Sequence, residues 1–97
     1  MKAVEIFREK VVLSATELVE IVIWQVPTPV PPSDHDFKYR LVYVREGQRV
    51  VGYDNERGKG DHRHIHGQEL PYTFSTIDRL LADFSADVSA NREKSDG

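Results

Sequence analysis

Alternation of side chains along Phe37–Val44, with one face apolar throughout, limits what this chain can fold into more than any other feature of its sequence. Successive side chains of a strand point to opposite faces of a sheet, so alternation at period two predicts a strand with one buried face. The apolar positions of that face are Phe37, Tyr39, Leu41 and Tyr43. Glu46–Gln48 has a central glycine and predicts a hairpin loop, after which Arg49–Tyr53 returns as the second strand.

One apolar stripe at helical spacing follows the strands. Its members are Ile77, Leu80, Leu81, Phe84 and Val88. Ser75 is a candidate N-cap with Asp78 three residues later, so we expect a helix from Ser75 to about Val88. Upstream, Ala3–Leu13 and Leu18–Val26 are rich in β-branched residues. The pattern predicts an α+β fold with a four- to five-stranded antiparallel sheet. One C-terminal amphipathic helix packs on the face of the sheet that carries Tyr39.

The length of 97 residues predicts one domain. We expect this domain to span residues 1–88. Residues 89–97 are small or charged, and we expect them to form a disordered tail. The chain has no cysteine, which excludes disulfides and thiolate metal sites and fits a reducing cytoplasm. We also expect no membrane segment, because no apolar run reaches the roughly 18 residues that a membrane helix needs.

Positive charge is concentrated in the middle of an acidic chain. The net charge is −3, which argues against a general nucleic-acid binder. Phe37–His66 nevertheless holds seven Lys and Arg residues against four Asp and Glu residues. That local charge of +3 leaves −6 on the remaining residues, so the sequence favours an anion site within this region.

The segment Val51–His66 concentrates groups that can move protons or bind an anion. His62, His64 and His66 are two residues apart, so on a strand all three point to one face and Arg63 points to the other. Metal-independent RNA cleavage needs a base for the 2′-OH, an acid for the leaving oxygen, and cations for the phosphate. Histidine suits the proton transfers because its ordinary pKa is near 6.5.

This inventory assigns roles to individual residues. The candidate catalytic residues are His62, His64, Arg57, Lys59 and Tyr53. The candidate substrate-binding residues are Lys38, Arg40, Asn55 and Arg63. Two other hypotheses stay open. Two of the three histidines could bind zinc together with Asp54 or Asp61, or the segment could be an exposed polar edge strand. We expect no bound metal and no cofactor.

Several segments together resemble the TumE family of toxins from bacterial two-gene toxin–antitoxin modules. The similarity extends from Lys2 to Val88, and His66 lies outside its most specific part. The segments are Phe7–Lys10, Val22–Pro27, Phe37–Leu41, Val51–His64, Pro71–Phe74 and Leu80–Phe84.

The resemblance implies a small cytoplasmic toxin encoded beside an antitoxin that carries a helix-turn-helix. It does not imply a mechanism. Many small toxins with a twisted antiparallel sheet are ribonucleases, and this analogy favours RNA as the target. The alternative is a non-catalytic toxin or interaction module that binds a protein target, and a homodimer is also left open.

Overall fold

The predicted strands and the predicted helix all form in the computed structural model, which describes residues 2–95. The elements are β1 (Val4–Ser14), β2 (Glu17–Gln25), β3 (Phe37–Arg45), β4 (Gln48–Glu56), β5 (Gly60–Ile65), β6 (Gln68–Pro71) and α1 (Ile77–Ser95). The α+β class is therefore confirmed, with α1 as the one helix of the described residues. None of residues 2–95 forms a helix that is long and apolar enough to cross a membrane.

The six strands form one antiparallel meander in chain order, from β1 at one edge to β6 at the other. The prediction of four to five strands is wrong because the sheet has a sixth strand, β6. Gln68–Pro71 pairs with β5 as a short edge strand, with Pro71 opposite His62. An edge position tolerates proline because its missing N–H faces no further strand.

The helix covers the face of the sheet that the alternation of β3 predicted. Tyr39, Leu41 and Tyr43 are completely buried on this helix face, and from the helix side Leu80 is completely buried and Phe84 almost so. Tyr53, which is opposite Leu41 in the register, meets the Phe84 ring edge-on at 5.9 Å. The core therefore lies between α1 and the central strands, while β1 is largely exposed.

The two ends of α1 differ from the prediction. Thr76 is the N-cap instead of Ser75, because its hydroxyl accepts a hydrogen bond from the Arg79 amide at 3.1 Å. The helix also continues past Val88 to Ser95, into the segment predicted as a disordered tail. Asn91 is buried, and the Arg92 guanidinium donates two hydrogen bonds to Glu17. Residues 96 and 97 of the predicted tail lie outside the described residues.

Candidate functional site

The register of the sheet brings His62, His64 and the predicted cation Arg40 to the face opposite α1, here called the open face. Arg40 pairs with Asp54 in the next strand, and Asp54 pairs with His62. Residues directly opposite one another share a face, so these three side chains form one row across the open face. His64 lies in the neighbouring row, opposite Gly52.

His62 is held in one orientation by its own strand. Its Nδ1 lies 3.0 Å from the Gly60 carbonyl oxygen, which can only accept, so Nδ1 carries the proton. Gly60 has φ of 75°, a left-handed conformation that glycine adopts without strain. The other ring nitrogen, Nε2, lies next to the Asp54 carboxylate.

Asp54 and His62 form a close pair that is not a hydrogen bond. Asp54 Oδ1 lies 2.5 Å from His62 Nε2, and the two side chains are 14% and 6% exposed. Both atoms are buried, and neither has a hydrogen-bond partner among the described residues. Buried polar atoms usually have partners, and two orphaned atoms facing one another mark an unusual place in the molecule.

His64 lies beside His62 and is kept neutral by its surroundings. The two rings meet edge-on with their centroids 4.9 Å apart. Burial lowers the pKa of His64, and the nearby positive charge of Arg49 lowers it further. Arg49 approaches because Gly52 has no side chain: a Cβ there would lie 2.9 Å from the Arg49 Cδ atom. His64 therefore presents an unprotonated imidazole at neutral pH.

The predicted cations differ in how close they lie to the histidine pair. Arg40 is in the row of His62, and its side chain is more than half exposed. Its Nη1 lies 3.7 Å from Glu20 Oε1. Lys59 is exposed at the β4–β5 turn, and with His62 it borders a cleft of about 300 Å³. Lys38 donates to the Asn55 carbonyl, and Arg57 lies exposed in the same turn as Lys59. Arg40 thus shares the row of His62, and Lys59 borders the same cleft as His62.

Glu69 adds a carboxylate above the two rings. Its Oε1 lies 3.5 Å from His62 Nε2, 3.9 Å from His64 Nε2 and 3.4 Å from Lys59 Nζ. The hydrogen bond from Lys59 is the main reason why the pKa of Glu69 is lowered. Glu69 is exposed, so it can rotate away from the rings when a ligand arrives.

Three other predicted site residues lie away from the open face. Tyr53 is buried on the helix face, where its hydroxyl donates to the Asp87 carboxylate. Arg63 is on the helix face too, and it donates to Asp87 at 3.1 Å. Asn55 is completely buried and connects β3 to β4 through the Tyr39 amide and the Phe37 carbonyl. The structure therefore does not bring these three side chains together with His62 and His64 on the open face.

His66 does not continue the histidine row. The strand ends at Ile65, and His66 has φ of 48° in the following turn. Its Nε2 donates to the Asn91 side-chain oxygen at 2.7 Å, on the side of α1. The expectation that all three histidines share one face is therefore wrong for His66, because the alternation stops where the strand stops.

Residue-by-residue reasoning on the sequence left Arg49 and Glu69 out of every predicted site, and it named Asp54 only as a possible zinc ligand. The alternation along β4 and β5 could have placed Asp54 beside the histidines, because both strands continue past it without a break. Gly52 inside a strand is a sign that another group approaches closely, and that group is Arg49. No sequence signal would have placed Glu69, which depends on the pairing of β6 with β5.

Comparison with known protein families finds a match over most of the chain. The model of a family described as Toxin TumE matches residues 3–92. Neither the curated proteins nor the solved structures contain a significant match. The family match covers every residue of the cluster on the open face.

Proposed function

The chain belongs to the TumE toxin family, and from that premise we propose that it is a toxin that cleaves RNA at the His62–His64 pair without a metal. Family membership implies an antitoxin as its partner. The observation that carries the RNA proposal is the pairing of two adjacent imidazoles with cations on one open face. Cellular RNA as the target places the action of the toxin in the cytoplasm. The sequence resemblance further supports an antitoxin with a helix-turn-helix.

The charges around the pair support an RNA backbone as the substrate. Arg40, Arg49 and Lys59 are all exposed on or beside the open face. Exposed Arg and Lys side chains bind phosphates without reading bases, so these three would position the backbone and the pair would cleave it. Glu69 opposes phosphate binding at the same place, and we propose that substrate displaces its carboxylate towards solvent.

The two histidines differ in a way that suggests separate roles. His64 is neutral because burial and Arg49 lower its pKa, which suits a general base. It would take the 2′-OH proton while the 2′-oxygen attacks phosphorus. His62 would donate a proton from Nε2 to the departing 5′-oxygen, and the Asp54 carboxylate lies 2.5 Å from that nitrogen. The products are a 2′,3′-cyclic phosphate and a 5′-hydroxyl.

A matched pair of histidine substitutions tests this proposal. His64→Gln removes a proposed catalytic imidazole, and His66→Gln removes an imidazole two residues away that contacts α1 instead. We expect His64→Gln and His62→Gln to slow cleavage by about 10²–10⁴-fold, the usual contribution of one proton-transfer group. His66→Gln should cleave RNA as the parent does.

The readouts are growth arrest on induced expression, integrity of total RNA, and cleavage of a defined RNA by purified protein in excess chelator. Circular dichroism and thermal unfolding establish that each variant is folded. If folded His64→Gln and His62→Gln proteins arrest growth and cleave RNA like the parent, the pair is not catalytic. A toxin that binds a protein target would then be the better explanation.

A further inference from the structure

Asp54, His62 and His64 form a group of metal-ligand donors on the open face. Each side chain offers one ligand atom, and these atoms all lie within 4.8 Å of one another. They come from two neighbouring strands, β4 and β5, so the sheet itself holds them in place. Donors on paired strands lose little freedom when they bind an ion.

Two buried atoms without a hydrogen-bond partner indicate what kind of ligand the group binds. Asp54 Oδ1 and His62 Nε2 are buried and have no hydrogen-bond partner among the described residues. The His62 side chain is 94% buried, and its Nδ1 already donates to the Gly60 carbonyl. A backbone carbonyl on Nδ1 is the arrangement that leaves Nε2 as a metal ligand in metalloproteins. The tautomer and the unpaired carboxylate oxygen are therefore already set for a cation.

Glu69 supplies a fourth donor at the rim. Its Oε1 is 3.5 Å from His62 Nε2 and 3.9 Å from His64 Nε2. Ligands about 2.0–2.1 Å from a tetrahedral ion are about 3.3 Å apart, close to these two separations. The separation of 2.5 Å between Asp54 and His62 is shorter, so the carboxylate would move outward by less than about 1 Å.

We propose that Asp54, His62, His64 and Glu69 bind one divalent transition-metal ion of the zinc type. Two imidazoles and two carboxylates suit such an ion, and the two carboxylates neutralise its charge. Calcium and magnesium are disfavoured because they prefer sites made of oxygen ligands.

Metal binding would switch off the proposed cleavage, a consequence that depends on the proposed function. A metal takes the lone pair of Nε2 on His62 and His64, which are the nitrogens that would exchange protons with RNA. The two uses of the site exclude one another. We infer that the metal-loaded protein does not cleave RNA and that removal of the ion restores cleavage.

Calorimetric titration of zinc chloride into chelator-treated protein tests the site without any RNA. We expect one zinc per chain, with a loss of affinity in His64→Gln and Asp54→Asn larger than the roughly 10–100-fold typical of outer-shell changes. His66→Gln is the matched control and should bind like the parent. Cobalt added in place of zinc should give the visible absorption of a tetrahedral site, a readout that does not depend on any variant being folded.

The outcomes separate the two proposals. Equal zinc binding by the parent and by folded His64→Gln and Asp54→Asn proteins overturns the metal site. One zinc bound at this site with undiminished or increased RNA cleavage overturns the switch. If the metal-free protein does not cleave RNA at all, the proposed function fails, while the stoichiometry and the cobalt spectrum still decide whether the metal site exists.

Discussion

Replacing Tyr53 by Phe separates a catalytic role from a structural one. The Tyr53 hydroxyl donates to the Asp87 carboxylate, and the Arg63 guanidinium donates to the same carboxylate at 3.1 Å. Burial and Asp87 raise the pKa of Tyr53 to about 12, which makes it a poor proton donor at neutral pH. We therefore expect Tyr53→Phe to cleave RNA like the parent and to be less stable.

The size of the stability loss depends on the hydrogen bonds that Asp87 still accepts in the variant. A hydrogen bond to a charged group contributes about 1.5–3 kcal/mol. Asp87 retains Arg63 and is 23% exposed, so water and Arg63 replace part of the lost bond, and we expect a loss of about 1–2 kcal/mol. For a domain of this size that lowers Tm by about 4–16 °C.

Urea and thermal unfolding measure the stability of this variant, and cleavage of a defined RNA measures its activity. A folded Tyr53→Phe protein with a loss of cleavage of about 10²-fold or more would return Tyr53 to the catalytic site. Unchanged stability would refute its role in attaching α1 to the sheet.

Three other changes have outcomes that the structure specifies. Leu80 is completely buried and Leu81 only partly buried. Leu80→Ala should therefore lower the free energy of unfolding in urea by about 3 kcal/mol, and Leu81→Ala should lower it clearly less. Equal losses would contradict the orientation of the helix. Hydrogen bonds from Arg92 and Tyr43 lower the pKa of Glu17 from 4.5 to about 2. That stabilisation is present above pH 4.5 and is lost as the pH falls towards 2. In Glu17→Gln the free energy of unfolding should therefore depend less on pH in this range, and an unchanged pH dependence would contradict this role of Glu17. Arg40→Ala should weaken RNA binding and reduce the slope of log affinity against log salt by about 0.7, the value for one phosphate on a single strand; an unchanged slope would remove Arg40 from the backbone contacts.

Local periodicity was enough to predict the class of the fold and the two faces of its central strands. Alternation along β3 correctly placed Tyr39, Leu41 and Tyr43 under the helix. Parity along β5 also placed His62 and His64 on one face and Arg63 on the other, because residues two apart in a strand point the same way. These inferences needed no knowledge of which strand pairs with which.

Long-range pairing decided which polar residues belong to the site. Tyr53 and Arg63 have the chemistry of a catalytic centre, yet both bind Asp87, which is 34 and 24 residues away in the chain. Glu69 reaches the histidines only because β6 pairs with β5. A sequence lists the polar groups that are present, but it does not state which of them satisfy one another across the core.

The length of α1 shows the same division between local and tertiary information. The apolar stripe ends at Val88, so periodicity alone predicted that the helix ends there. The next turns are held by Asn91, whose side chain binds His66, and by Arg92, which binds Glu17 of β2. The sequence by itself determined the strand parity and the apolar stripe, since both depend on neighbours along the chain. The tertiary structure decided the end of the helix and the membership of the site, because the partners involved are distant in sequence and meet only in the folded protein.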